Sequence, residues 1–154
     1  MATVYSAQKT LTDVNNPSEK VKTNEFHGRV RIAFGSFEAS GLSAGDVIQM
    51  FDLPNGARLL SGSIAHDALG SSTTLSVGYA AHKNSAGTTV ALDADAYKAA
   101  ASSASAGLSD ILATIALGNG TEVNADGNGL PITVTLAGAA ATGTIQCTMM
   151  YVTD

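Results

Sequence analysis

The chain has 154 residues, a net charge of −5, one cysteine and no tryptophan. That length suffices for one domain with its own core, without disulfide or metal staples. The acidic balance excludes a protein that reads nucleic acid through a basic patch, and no apolar run is long enough to span a membrane as a helix. From the first residue to about Phe26 the chain reads as an extended arm (1–26) set apart from a β-sandwich domain (27–154). Val4, Tyr5, Leu11, Val14 and Val21 follow no sustained period, and Asn15-Asn16-Pro17-Ser18 is a turn signal. Lys9, Lys20 and Lys22 cancel Asp13, Glu19 and Glu25. These five apolar residues are the expected anchors of an arm that orders on a partner; a frayed end or a first edge strand is the plainer alternative. The opening residues are polar, so no secretory signal is expected, and a lone Cys147 suits a reducing cytoplasm.

The rest reads as strands with turns between them. Val30, Ile32 and Phe34 alternate with Arg29, Arg31 and Ala33, which predicts a half-buried strand whose apolar face enters the core. Residues 39–45 read as a Gly/Ser loop. Val47 to Leu53 is an apolar run closed by Pro54-Asn55-Gly56, and Leu59, Leu60 and Ile64 mark the next strand. Leu75, Val77 and Tyr79 alternate with Ser76 and Gly78, and Val90-Ala91-Leu92 closes a further strand. The Ala-rich stretch from Asp93 predicts a short helix to about Ser105, with Asp93 as N-cap and Gly107 as stop. Ile111 to Leu117, Leu130 to Leu136 and Thr144 to Val152 complete the set, the last with Ile145, Cys147, Met149 and Tyr151 on one face. About eight strands at this spacing predict an all-β antiparallel sandwich, jelly-roll-like, with one short helix.

Chemistry-bearing patterns are thin. Gly41-Leu42-Ser43-Ala44-Gly45 matches the hydrolase elbow in letters, with Asp67 and His82 as nominal partners, but a loop precedes the serine and a strand follows it. Asn124 to Gly129 is a Gly/Asn turn rather than a calcium loop, since Thr135 stands where a bidentate acid is required. Asp93 and Asp95 suit capping better than metal binding, and His27, His66 and His82 lack metal-ligand spacing. Cys147 reads as a small buried hydrophobe. No enzyme, metal or cofactor is therefore expected. Arg29 and Arg31 are candidates for pairing with carboxylates on a partner.

Gly45-Asp46-Val47-Ile48, Leu53-Pro54-Asn55-Gly56-Ala57 and the strand from Leu69 to Gly78 together resemble the head decoration, or cement, proteins of tailed bacteriophages. A weaker echo follows at Asp93 to Tyr97. The resemblance implies a sandwich without chemistry, made in the host bacterial cytoplasm, that binds the outside of a virion capsid and bridges capsomers. Its implied partners are the major capsid protein and itself, as a homo-oligomer and most often a trimer. The arm residues with Arg29 and Arg31 are then the expected contacts to capsid or neighbouring subunit. A carbohydrate- or receptor-binding sandwich of a tail or fibre is the alternative, with Tyr79, Tyr97, Asp93 and Asp95 as its candidate groove.

Overall fold

The computed structural model describes residues 4–13 and 20–153, so Val14 and the Asn15-Asn16-Pro17 turn lie outside the described residues. Eight main strands form two four-stranded antiparallel sheets. They are β1 (Arg29–Leu42), β2 (Val47–Leu53), β3 (Arg58–His66), β4 (Thr74–Tyr79), β7 (Asp93–Ser102), β8 (Gly107–Ile111), β9 (Leu130–Ala137) and β10 (Ala141–Thr153). A short pair, β5 (His82–Lys83) with β6 (Thr89–Val90), lies in the connection from β4 to β7. One sheet has the order β1-β10-β3-β8 and the other β2-β9-β4-β7, the interleaved order of a jelly roll.

The core lies between the sheets and follows the period of two. On β9 the inward residues are Leu130, Ile132, Val134 and Leu136; on β10 they are Ile145, Cys147 and Met149, with Tyr151 half-buried. Leu53, Leu59, Ile64, Leu75 and Val77 meet them from the flanking strands. Burial of each large side chain stabilises the fold by about 1.5–3 kcal/mol. Burial also pushes the Cys147 thiol up to about 12, so it stays neutral.

Three expectations are corrected. Val30, Ile32 and Phe34 do not enter the core: they are 59%, 65% and 59% exposed. The inner face of β1 carries Ala33, Gly35 and Ala39 instead. A Cβ at Gly35 would stand 2.9 Å from the Met50 carbonyl oxygen, so β2 comes too close for large side chains there, and the bulky set is left outside. Second, residues 93–102 form β7 rather than a helix. Tyr97 reaches the core, Tyr79 pairs with Asp93 and Thr74 with Ser102, and these contacts override the modest helical preference of alanine. Asp93 accepts from the Asp95 amide instead of capping a helix, and Gly107 opens β8. Third, the strand expected over 111–117 ends at Ile111. Leu112 takes φ +58° and a 3-10 turn follows at Ile115–Leu117, capped by Thr114 and by Gly118 at φ +86°. Among the described residues the α-helix, α1 (Ala7–Asp13), lies in the arm, where the Ser6 hydroxyl accepts from the Lys9 amide. The loop expected over 39–45 is also shorter, because β1 runs to Leu42.

The root of the arm is fastened to its own sandwich. Arg58, at the start of β3, donates to Glu25 (2.9 Å), to Glu122 (3.2 Å) and to the Gly120 carbonyl (2.6 Å). Lys22 donates to the same Glu122 at 2.8 Å, and the Asn24 side chain donates to the Gly56 carbonyl at 3.0 Å. Arg58 is largely buried, with 20% of its side chain exposed, so it needs these partners.

Three outcomes follow. Arg58→Met, which keeps the stem and removes the charge, should cost about 2 kcal/mol in chemical denaturation, the scale of lost charge-assisted hydrogen bonds. The Lys22 hydrogen bond, and the Lys22 and Arg58 charges, hold the Glu122 carboxyl below its ordinary 4.5 against the opposing effect of burial. A depressed folded value means the contribution is complete above 4.5 and fades as pH falls through the lower folded value. Lys22→Met should therefore flatten the loss of melting temperature on acidification below that point. Gly78→Ala should be far worse than either: its Cβ would fall 1.9 Å from the Asp93 carbonyl oxygen. We expect a loss of about 3 kcal/mol or a failure to fold, read by the same denaturation.

Candidate interaction surface

The outer face of the β1-β10-β3-β8 sheet is the most unusual surface of the molecule. Register places side chains in rows across it. Ile32 lies beside Met150, and Phe34 beside Thr148, which adjoins Ser63 and then Asp110. Gln146 adjoins Ala65 and then Leu108. The two edges of the sheet are apolar: Val30, Ile32 and Phe34 on β1, and Leu108, 73% exposed, on β8. The middle strands present Thr148, Gln146, Ser61 and Ser63, with Met150 half-exposed. On the opposite sheet the outward positions carry Val47, 57% exposed, with Gln49 and Thr135, while Thr133 and Ser76 are buried.

The expected contact residues fall in separate places. Arg29 and Arg31 are exposed at the open end of β1, and Arg31 Nε donates to the Thr153 hydroxyl at 2.9 Å. Arg31, Tyr151 and Thr153 line an open groove of about 440 Å³ with Pro54, Asn55 and Gly56. Val4 and Tyr5 are 90% and 64% exposed, while Leu11 and Val21 are half-buried. Val14 is outside the described residues. Sequence reasoning missed Met150, Leu108 and Ile115 as surface residues. A usable signal was present: Ala33, Gly35 and Ala39 give β1 a small-residue face, which is the face that fits against a neighbouring strand.

The nominal catalytic and metal-binding patterns are tied up in structure. The Ser43 amide donates to the Asp46 carboxylate at 2.8 Å, closing the turn between β1 and β2. Asp67 accepts from the Thr144 amide at 3.0 Å, and that bond, more than any other contact, lowers its pKa. His82 Nδ1 lies 3.1 Å from the Ala80 carbonyl. Ser43, Asp67 and His82 thus have three different sets of partners. Asn124 accepts from Ser85, and Asp126 accepts from Asn128, so their oxygens hold loops together. Among the described residues no group of three or more His, Cys, Asp or Glu side chains could hold a metal ion, and no helix is long and apolar enough to cross a membrane. The Tyr79 and Tyr97 rings lie 6.0 Å apart, tilted at 58°, and Tyr97 is 7% exposed, so Tyr97 serves as core rather than as a platform. Burial, reinforced by Tyr79 and Asp93, raises its phenol pKa and keeps it neutral.

No family model matches the chain, and no curated protein matches it. Solved structures do. A chain of the cyanophage Pam1 capsid asymmetric unit is 24% identical with a TM-score of 0.64, each chain covered over 100% of its length. A chain of the capsid of Ralstonia phage GP4 is 20% identical with a TM-score of 0.62, covering 82% of this chain and 86% of that one. A chain of the acidic stable capsid of Helicobacter pylori bacteriophage KHP30 is 12% identical with a TM-score of 0.51, over 80% and 86%. This chain shares its fold, over its whole length in the first case, with chains found in phage capsid structures.

Proposed function

We propose that the protein is a structural, non-enzymatic component of a bacteriophage virion that binds the outer surface of the capsid and bridges capsomers. The observation that carries this reading is the fold likeness to the cyanophage capsid chain, complete in both directions. The cement-protein resemblance of Gly45 to Ile48, Leu53 to Ala57 and Leu69 to Gly78 supports it independently. The mechanism is mass action. A subunit that binds only assembled shell stabilises that shell by its binding free energy, repeated at every site. The major capsid protein is the partner, and the subunit acts as a homo-oligomer, a three-fold trimer in the form the resemblance implies.

The arm supplies the reach in this reading. Its root is fixed by Lys22, Asn24 and Glu25, while Val4 and Tyr5 stand exposed beyond it. An arm that orders on its partner covers much surface per residue, at the cost of the entropy of ordering it, here with α1 as its helical part. Val4, Tyr5, Leu11, Val14 and Val21 are its anchors, and Arg29 and Arg31 pair with carboxylates of the shell or of a neighbouring subunit.

Removal of residues 1–20 keeps the Lys22–Glu122 pair intact. The truncated protein should melt like the full chain yet co-sediment poorly with shells lacking the decoration. Unchanged co-sedimentation would move the contacts off the arm, and absence of co-sedimentation by the full chain would end the cement reading itself.

A further inference from the structure

We propose that the cavity between the β5-β6 hairpin and strands β2 and β9 binds an uncharged sugar ring. This goes beyond the capsid reading and does not depend on it, because none of the cavity residues belongs to the arm or to β1.

The cavity is open and holds about 520 Å³, within the range of small-molecule sites. One wall comes from β2, which supplies Gln49 and Asp52. Side chains three residues apart point to opposite faces of a regular strand. A bulge between Gln49 and Phe51 brings these two together, and Gln49 Nε2 donates to Asp52 Oδ1 at 2.9 Å. The hairpin supplies His82, Lys83 and Thr89. The loop before β9 adds Asp126 and Asn128, and β9 adds Pro131, which lies opposite Asp52 in register.

These walls are fixed to one another. The Asp126 amide donates to the Lys83 carbonyl at 2.8 Å. Ser85 donates to Asn124 Oδ1 through its amide at 3.0 Å and its hydroxyl at 2.8 Å. The His82 ring meets Tyr79 edge-on, with centroids 5.3 Å apart, and its Nδ1 lies 3.1 Å from the Ala80 carbonyl. A carbonyl only accepts, so Nδ1 carries the proton there and Nε2 of the neutral ring is an acceptor. A site set in advance spends little binding energy on ordering itself.

The lining selects the ligand class. An apolar ligand would strip water from carboxylates and amides and give nothing in return. An anion would meet two carboxylates, Asp52 and Asp126, against the single ammonium of Lys83. A calcium ion would need about six oxygens or more, and both Asp126 oxygens already accept from Asn128, at 2.9 and 3.1 Å. A sugar hydroxyl donates and accepts at once. It can give its proton to Asp52 Oδ2, which has no protein donor among the described residues, and accept from Lys83 or Thr89. Pro131 and Ala81 offer an apolar patch to the C–H face of the ring.

The test is amide NMR of the isotope-labelled full chain, titrated to tens of millimolar. The probes are the methyl glycosides of glucose, galactose, mannose and N-acetylglucosamine, with glycerol as a simple polyol. One glycoside should shift the amides of His82, Lys83, Asp126 and Asn128 together and to saturation, while glycerol should not. Asp52→Ala removes an exposed side chain, so melting should hold while binding weakens about tenfold, the scale of one hydrogen bond to a charged group. Lys83→Met, also at an exposed position, should weaken binding as well and gives the reading if Asp52→Ala melts early. Failure of all four glycosides to saturate overturns the proposal. So do equal shifts with glycerol, or undiminished binding by a variant that melts like the natural chain.

Discussion

Both sheets hang on the last two strands. β10 lies between β1 and β3, and β9 between β2 and β4, so each closes two ladders at once. The strands that follow one another from β1 to β4 do not pair with each other. Arg29 instead meets Thr153, and Leu53 meets Leu130. Ladders of this span close large loops before their contacts form, and such topologies fold slowly. The same two strands fill the centre of the core with Ile132, Val134 and Leu136 facing Ile145, Cys147 and Met149. Hydrogen bonding and packing are therefore concentrated in one segment, and neither sheet exists without it.

Period and turn chemistry are local, and they were legible. Leu130 to Leu136 and Ile145 to Met149 show which residues share a face, and both sets are buried as expected. The Pro54-Asn55-Gly56 turn is present, with Gly56 at φ +78°. Other features depend on neighbours remote in sequence. Alternation at Val30, Ile32 and Phe34 defines a face without saying whether that face meets the core. The decision belongs to Met50, whose backbone crowds Gly35. Alanine at 99–101 favours helix alone, yet Leu75 pairs with Ala101 and Val77 with Lys98. The candidate surface was half legible for the same reason: Arg29 and Arg31 stood out as charges, while the apolar stripe beside them was read as core.

The two outer faces divide the work of the surface. On the β2-β9-β4-β7 sheet the outward Thr133 and Ser76 are buried, at 2% and 7% exposed, and Val47 is the exposed apolar residue. The other sheet leaves Val30, Ile32 and Phe34 exposed, a contiguous apolar stripe on β1. The ten carboxylates after Gly28 oppose indiscriminate association through that stripe, because like charges repel. The fixed arm root adds a directional element: Arg58 ties Glu25, at the entry of the chain into the sandwich, to the start of β3.

Antiparallel pairing of β1 with β10 brings the chain's entry into the sandwich and its exit from it to one end, with Arg29 opposite Thr153. The turns at 43–46, 67–73, 103–106 and 138–140 gather at the other end, where Leu42 pairs with Ala141 and Ser103 bonds Thr73. These turns differ in how much room they leave. A Cβ at Gly138 would strike the Ser72 carbonyl, whereas Gly41 and Gly45 face open space. A peptide spliced between Ala44 and Gly45 would consequently emerge from the pole opposite the arm, while one fused after β10 would emerge beside it. An addition at the first site would therefore project away from the arm's root, and one at the second would lie next to it.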